Sequence, residues 1–162
     1  KLYLTMAEIK TFYLDISETS KVSEDFYNEF KDVNSTKLND ILLARSGEGT
    51  IGKIAMVDKE IEGLFADFLM RIRFKNYPSN YAYYFFRTDL FQELINLTKK
   101  GLGNNTNIYP SDISNFPIPD PNIKLKNCCE NISKIISENR SRESQILDLN
   151  NKIADIIKYY SN

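Results

Sequence analysis

The sequence predicts an α+β protein: a mixed, strand-rich globular domain followed by one long C-terminal coiled-coil helix. Three observations carry that expectation. Short apolar and alternating runs, separated by glycine and polar turns, fill much of the first half. Aromatic and leucine residues at helical spacing follow Pro78. From Ile123 an alternation of three and four residues runs almost to the end.

At 162 residues and 42% hydrophobic content, the chain has enough material for one core plus an appendage. Its 21 basic and 22 acidic side chains give a formal net charge of -1, so any anion-binding surface must be local. Histidine is absent, which removes the commonest general base and metal ligand and argues against a self-contained hydrolase. Cys128 and Cys129 are adjacent, and no CxxC spacing offers a zinc site. Two thiols without a framework suit a reducing cytosol, hence a cytoplasmic location. No run approaches the ~18 apolar residues of a membrane span. Lys1-Leu2-Tyr3 is neither a signal sequence nor an initiating Met, and reads as the start of a trimmed piece. No catalytic residue, metal ligand or cofactor is expected in this chain.

Lys1–Thr5 and Thr11–Ile16 read as short strands around a polar break. Ser23 is placed to cap an amphipathic helix carrying Phe26, Tyr27 and Phe30. Asp40–Ala44 reads as a buried strand, Ile51–Val57 as a second, and Leu64–Phe74 as a third.

Between the first two of these lies Gly47-Glu48-Gly49-Thr50-Ile51-Gly52-Lys53, which has the glycine and lysine spacing of a phosphate-binding loop. That chemistry also needs a hydroxyl after the lysine and a helix whose N-terminal amides face the phosphates. Position 54 is Ile and β-branched residues follow. A tight inter-strand loop is therefore the expectation, with nucleotide binding as the lesser alternative.

Ser79 is placed to cap a helix through Arg87 and Thr88 to cap another, with Gly101 and Gly103 ending it. Tyr81, Tyr84 and Phe85, with Leu90, Leu94 and Leu97, fall at core spacing. A short turn capped by Ser111 and a proline-punctuated exit follow. Asn115-Phe116-Pro117-Ile118 lacks the proline and aromatic residue of an Asn-Pro-Pro-Tyr methyltransferase motif, and no glycine-rich cofactor loop accompanies it.

The terminal stretch places Leu125, Cys128, Ile132, Ile135, Asn139, Arg142, Ile146, Leu149, Ile153, Ile156 and Tyr160 on one seam. The alternative is a break into two helices around "ENRSRES". The register resumes in phase after the polar pair, which favours one helix of about 50 Å. Its apolar stripe should meet another helix, with Asn139 and Arg142 fixing register or partner.

"NDILLARSGEGTIGKIAMV", "YAYYFFRTDLFQELI", "KKGLGNNTNIYPSDISNFPIPDP" and the long helix occur here in one order. That order resembles the target recognition domain, with its following helix, of type I restriction-modification specificity subunits and of related fused restriction enzymes and DNA adenine methyltransferases. Family members commonly read "GDILLS.SG.TIGK" at the hairpin, so Asn39 stands where glycine is usual. The resemblance implies a recognition domain over residues 1–121 and an intersubunit or interdomain helix over residues 122–162. It implies a half-subunit, a fragment or the tail of a fused enzyme, since a family subunit normally carries two such domains.

The function implied is sequence-specific recognition of double-stranded DNA, positioning an adenine methyltransferase subunit or domain and in some systems a restriction/translocase subunit. S-adenosylmethionine would sit on the methyltransferase, not here. Self-association through the helix is a further expectation. Base readout needs donors and acceptors on rigid edges. Arg45, Ser46, Glu48, Thr50 and Lys53 cluster on the hairpin, and Lys99, Lys100, Asn104, Asn105, Thr106 and Asn107 on the second glycine-flanked loop. The lysines suit phosphates, and Arg45 with the asparagines suits base edges. The rival reading is a coiled-coil scaffold without DNA contact.

Overall fold

A computed structural model describes residues 1–10 and 13–160, with the side chains of residues 104, 155–157, 159 and 160 outside the description. The chain divides into two compact units, Lys1–Lys126 and Asn127–Asn162. The first holds β1 (Leu2–Leu4), a 3₁₀ turn (Met6–Glu8), α1 (Glu24–Asn34), β2 (Ile41–Ala44), β3 (Ile54–Met56), β4 (Gly63–Phe65) and β5 (Leu69–Ile72). It continues through α2 (Ser79–Phe86), α3 (Asp89–Thr98), a second 3₁₀ turn (Gly103–Asn105) and α4 (Pro110–Ser114). The last element, α5 (Ile123–Tyr160), supplies the second unit. The α+β class and the long C-terminal helix are as the sequence predicts.

β2 lies at the centre of an antiparallel sheet ordered β3-β2-β5, while β1 and β4 form a parallel pair. Side chains alternate along a strand, so the unbroken apolar run Ile41–Ala44 needs an apolar partner on each face. Ile41 and Leu43 join Ile54, Met56 and Met70 in a core with the helical Phe86, Phe91 and Ile95. Leu42 and Ala44 join Leu4, Leu14, Val57, Phe65 and Leu69 in a second core. The sheet is thus the middle layer. Phe86 stacks on Phe91 at 4.3 Å between centroids, and Phe116 meets Phe91 edge-on at 5.6 Å. Burying each such ring stabilises the fold by about 1.5–3 kcal/mol.

The entrance to β2 is fixed by an ion pair with one end inside. Asp40 is 1% exposed; it accepts from Lys37 N at 2.7 Å and from Arg73 Nε and Nη2 at 2.6 and 2.7 Å. The carboxylate raises the Arg73 guanidinium above its ordinary pKa. Asn39, just before it, has φ +69°. Left-handed backbone favours glycine first and asparagine next, which accounts for an Asn at this position. Arg71 donates to the Ser35 carbonyl, and burial lowers its pKa. The arginines of "LMRIRF" are struts that satisfy groups of the fold, Arg71 from a half-buried position and Arg73 from the surface.

Several local expectations are corrected. Of the strand expected over Thr11–Ile16, Thr11 and Phe12 lie outside the described residues, and Leu14 makes only a single bridge with Ile9. Leu64–Phe74 is two strands in different sheets: a turn closed by Leu69 N to Ala66 O at 2.9 Å redirects the chain from β1 to β2. An apolar run carries no mark of that change of partner. Within Ile51–Val57 only Ile54–Met56 is strand, because Lys53 N turns back to Thr50 O. Ser79 is the first helical residue behind an N-cap at Pro78, without a side-chain cap. Thr88 does cap α3, accepting from Phe91 N, but the helix ends at Thr98, before the glycines. Leu90 and Leu97 are 58% and 84% exposed, whereas Phe91 and Ile95 carry the core face. The helix is rotated from the leucine register because the larger aromatic ring wins the interior. Tyr109 rather than Ser111 caps α4, its N–H donating to Asp112 Oδ2 at 3.0 Å with Pro110 at the first position.

α5 is one continuous helix of 38 residues, about 57 Å long at 1.5 Å per residue, without the break at "ENRSRES". Leu125, Ile132, Ile135, Ile146, Leu149 and Ile153 are all exposed along it, as are Cys128, Asn139 and Arg142. The side chains of Ile156 and Tyr160 lie outside the described residues.

Candidate functional site

Two loops far apart in the chain meet in the first unit. The first, residues 45–53, joins β2 to β3; the second, residues 99–109, joins α3 to α4. Ile108 N donates to Arg45 O at 2.9 Å and Gly47 N to Thr106 O at 3.1 Å, so the second loop extends the sheet alongside the first. Ser46 and Asn107 bridge at that junction, and Lys100 and Asn107 exchange two backbone hydrogen bonds of 2.8 Å across the second loop. The candidates from both segments therefore share one hydrogen-bonded frame.

Backbone geometry within the frame depends on particular residues. Gly101 has φ +99°, and a Cβ there would run into the Asn105 carbonyl. Gly52 has φ +88° beside Gln92, whose amide nitrogen donates to Gly52 O at 3.1 Å and Phe86 O at 3.0 Å. The first loop is thereby tied to α3.

The candidates fall into distinct settings. Thr106 is buried and donates its hydroxyl to Gly103 O at 2.7 Å; Thr50 donates to Ser46 O and Gly47 O at 2.9 and 3.0 Å. Both hydroxyls close their own loops. Arg45 is half-buried, with Nε donating to Asp67 O at 2.5 Å, which leaves its terminal amino groups for other acceptors. Asn107 is half-buried and donates to Asn105 O at 2.8 Å, and Ser46 is half-buried at the junction. Glu48, Lys53, Lys99, Lys100 and Asn105 are exposed. Lys99 donates to Asn96 Oδ1 at 2.9 Å, and Lys100 lies 3.6 Å from Asp112 Oδ1 and over the Tyr109 ring. The Asn104 backbone lies in the 3₁₀ turn, and its side chain lies outside the described residues.

The nucleotide alternative fails on local geometry. The amides of Gly47, Thr50, Ile51, Gly52 and Lys53 all donate to carbonyls of the protein, and Lys53 leads into strand β3. Lys53 is thus followed by a strand, where a phosphate loop feeds directly into the helix whose N-terminus faces the phosphates. Among the described residues no group of His, Cys, Asp or Glu is arranged to hold a metal ion. Among them too, no helix is long and apolar enough to cross a membrane.

Sequence reasoning missed two cations beside the first loop. Lys10 and Arg87 line the same open cleft as Lys53, a cavity of about 570 Å³. They come from the N-terminal segment and the C-cap of α2, and no spacing in the sequence joins them.

The family model for the type I restriction modification DNA specificity domain matches residues 5–162. A chain solved in work on the complex assembly and conformational transition of the type I R-M system is similar at 15% identity, with a TM-score of 0.56. The similarity covers 90% of this chain and 37% of that one, so this chain spans little over a third of that protein's length. At that identity the likeness is one of fold. No curated protein matches the chain.

Proposed function

Since this chain belongs to the family of type I restriction modification DNA specificity domains, we propose that it reads double-stranded DNA with the joined loops 45–53 and 99–109. Recognition of a DNA sequence within a restriction-modification system is the family's role; the assignment to these loops is our reading. The observation that supports it is the backbone junction of Arg45–Gly47 with Thr106–Ile108, which sets donors and acceptors from both segments on one rigid edge. Rigid presentation is what base discrimination needs, because a bidentate contact depends on fixed geometry.

Within this reading Lys53, Lys99 and Lys100 meet phosphates. Arg45, Asn104, Asn105 and Asn107 address base edges, with Ser46 and Glu48 beside them. Thr50 and Thr106 act by holding the loops. The exposed stripe of α5 docks on a partner helix, from a methyltransferase subunit or domain, a restriction/translocase subunit or a second copy. The chain would position an adenine methyltransferase on its site, in the cytoplasm. S-adenosylmethionine and the flipped base would be held by that partner.

The test is a selection from random duplexes by the full chain with its partner methyltransferase, followed by binding of the selected site. Lys100→Ala weakens binding to all duplexes alike and lowers the salt dependence by about 0.9 in slope. Asn105→Ala lowers preference at one base pair by about 1–3 kcal/mol. Unchanged binding and selectivity in both variants removes the second loop from the interface.

A further inference from the structure

The glycine-lysine motif lacks the setting of a nucleotide cradle, yet it borders a cleft where three cationic side chains gather. The cleft of about 570 Å³ is lined by Lys10, Lys53, Arg87, Gln92 and the backbone of Gly49 and Gly52, with isoleucines between them. Among the described residues no carboxylate lines it, in a chain with more acidic than basic side chains. Three cations around one cavity attract an anion locally whatever the net charge.

These side chains are held in place. Lys10 Nζ donates to Ala7 O at 2.7 Å, and the Arg87 guanidinium lies over the Tyr83 and Tyr84 rings at 5.4 and 6.0 Å. Gln92 holds Gly52 from the α3 side. Because the amides of Gly47, Thr50, Ile51, Gly52 and Lys53 already donate within the protein, an anion here would be bound chiefly by side-chain charge rather than by a backbone cradle. That chemistry suits a phosphodiester, which carries one charge and needs no amide nest, better than a triphosphate. The cleft is also continuous with the first recognition loop, since Gly49, Ile51, Gly52 and Lys53 belong to both.

We propose that this cleft takes backbone phosphate of the duplex read by the joined loops, with Lys10 and Arg87 as phosphate-contacting residues beside Lys53. The proposal rests on the DNA reading above and adds a second contact region to it. Its role is to set the position of the duplex against the loops, without selecting bases.

Two measurements on the full chain separate this proposal from the reading beneath it. In the first, duplex affinity is followed against salt. Lys10→Gln with Arg87→Gln makes the log-log slope shallower by about 1.8, near 0.9 per lost phosphate contact, while base preference from a random pool stays as it is. Arg87→Lys keeps the charge and retains the slope, which a purely packing role for Arg87 would not allow. An unchanged slope in the double variant overturns the proposal while leaving duplex reading by the loops intact.

In the second, a four-residue thymidine oligonucleotide is titrated and the amide shifts of Gly49, Gly52 and Lys53 are followed. They move in the wild type and stay still in the double variant. Shifts that never move overturn the cleft as an anion site. Shifts that move in a chain binding no duplex show a phosphate site without the duplex as its occupant, and that outcome overturns the DNA reading as well.

Discussion

Removing either partner of the Asp40–Arg73 pair tests which end of the ion pair carries the cost. The side chains differ sharply in exposure, 1% for Asp40 and 39% for Arg73. In Arg73→Ala the carboxylate loses donors at 2.6 and 2.7 Å and keeps only Lys37 N at 2.7 Å. Stranding one half of a buried pair costs about 3–5 kcal/mol, and the wet rim left by Arg73 places this case near 3. In Asp40→Ala the buried charge itself is removed and the guanidinium returns to water. The residual cost is an orphaned Lys37 N–H and lost charge-assisted bonds, about 2 kcal/mol.

Urea unfolding reads both values. The chain has ten tyrosines and no tryptophan, so tyrosine fluorescence follows the transition. With a slope of about 1.5 kcal/mol per molar urea, 3 kcal/mol moves the midpoint down by about 2 M. The double variant is decisive: removing Asp40 from the Arg73→Ala protein should restore about 1 kcal/mol of the loss, so the pair of changes costs about 2 kcal/mol rather than the additive 5, a coupling of about 3 kcal/mol. An Arg73→Ala cost below about 1 kcal/mol, or strict additivity of the two changes, would refute a stabilising buried carboxylate at the start of β2.

Two further perturbations check the loops and the core rim. Gly49→Ala meets only left-handed strain at φ +73° with open space around it, for about 1 kcal/mol, whereas Gly101→Ala also drives a methyl group into the Asn105 carbonyl. Thermal melting should separate them by at least 2 kcal/mol, and equal values would deny that the second loop closes on Gly101. Tyr77 donates to Pro119 O at 2.6 Å, and burial pushes its pKa from an ordinary 10.0 up to about 12. Both states keep the proton below pH 10, while above it the unfolded chain releases a proton that the folded chain retains. Its contribution to stability is therefore present below pH 10 and lost as pH rises towards 12. Tyr77→Phe should flatten that alkaline decline and remove one late-ionising tyrosine from an absorbance titration, leaving the buried Tyr83 as another.

Legibility followed the range of the physics involved. Patterns set by neighbours along the chain were readable: the unbroken helix α5, the caps at Ser23 and Thr88, the apolar core of β2, and the absence of a helix directly after Lys53. Both polar loops were also visible as glycine-flanked clusters. What tertiary contact decided was less visible. Whether Leu64–Phe74 is one strand or two depends on partners more than twenty residues away. Which face of α3 is buried depends on Phe86 and Phe116 competing for Phe91.

The sequence by itself determined the class of protein and the family it resembles, because periodicity, glycine placement and motif order are properties of one dimension. Only the tertiary structure joined residues 45–47 to residues 106–108 and gathered Lys10, Lys53 and Arg87 around one cleft. Both arrangements arise from backbone pairing and from layers closing over a doubly buried sheet, and such contacts leave no spacing in the chain to read.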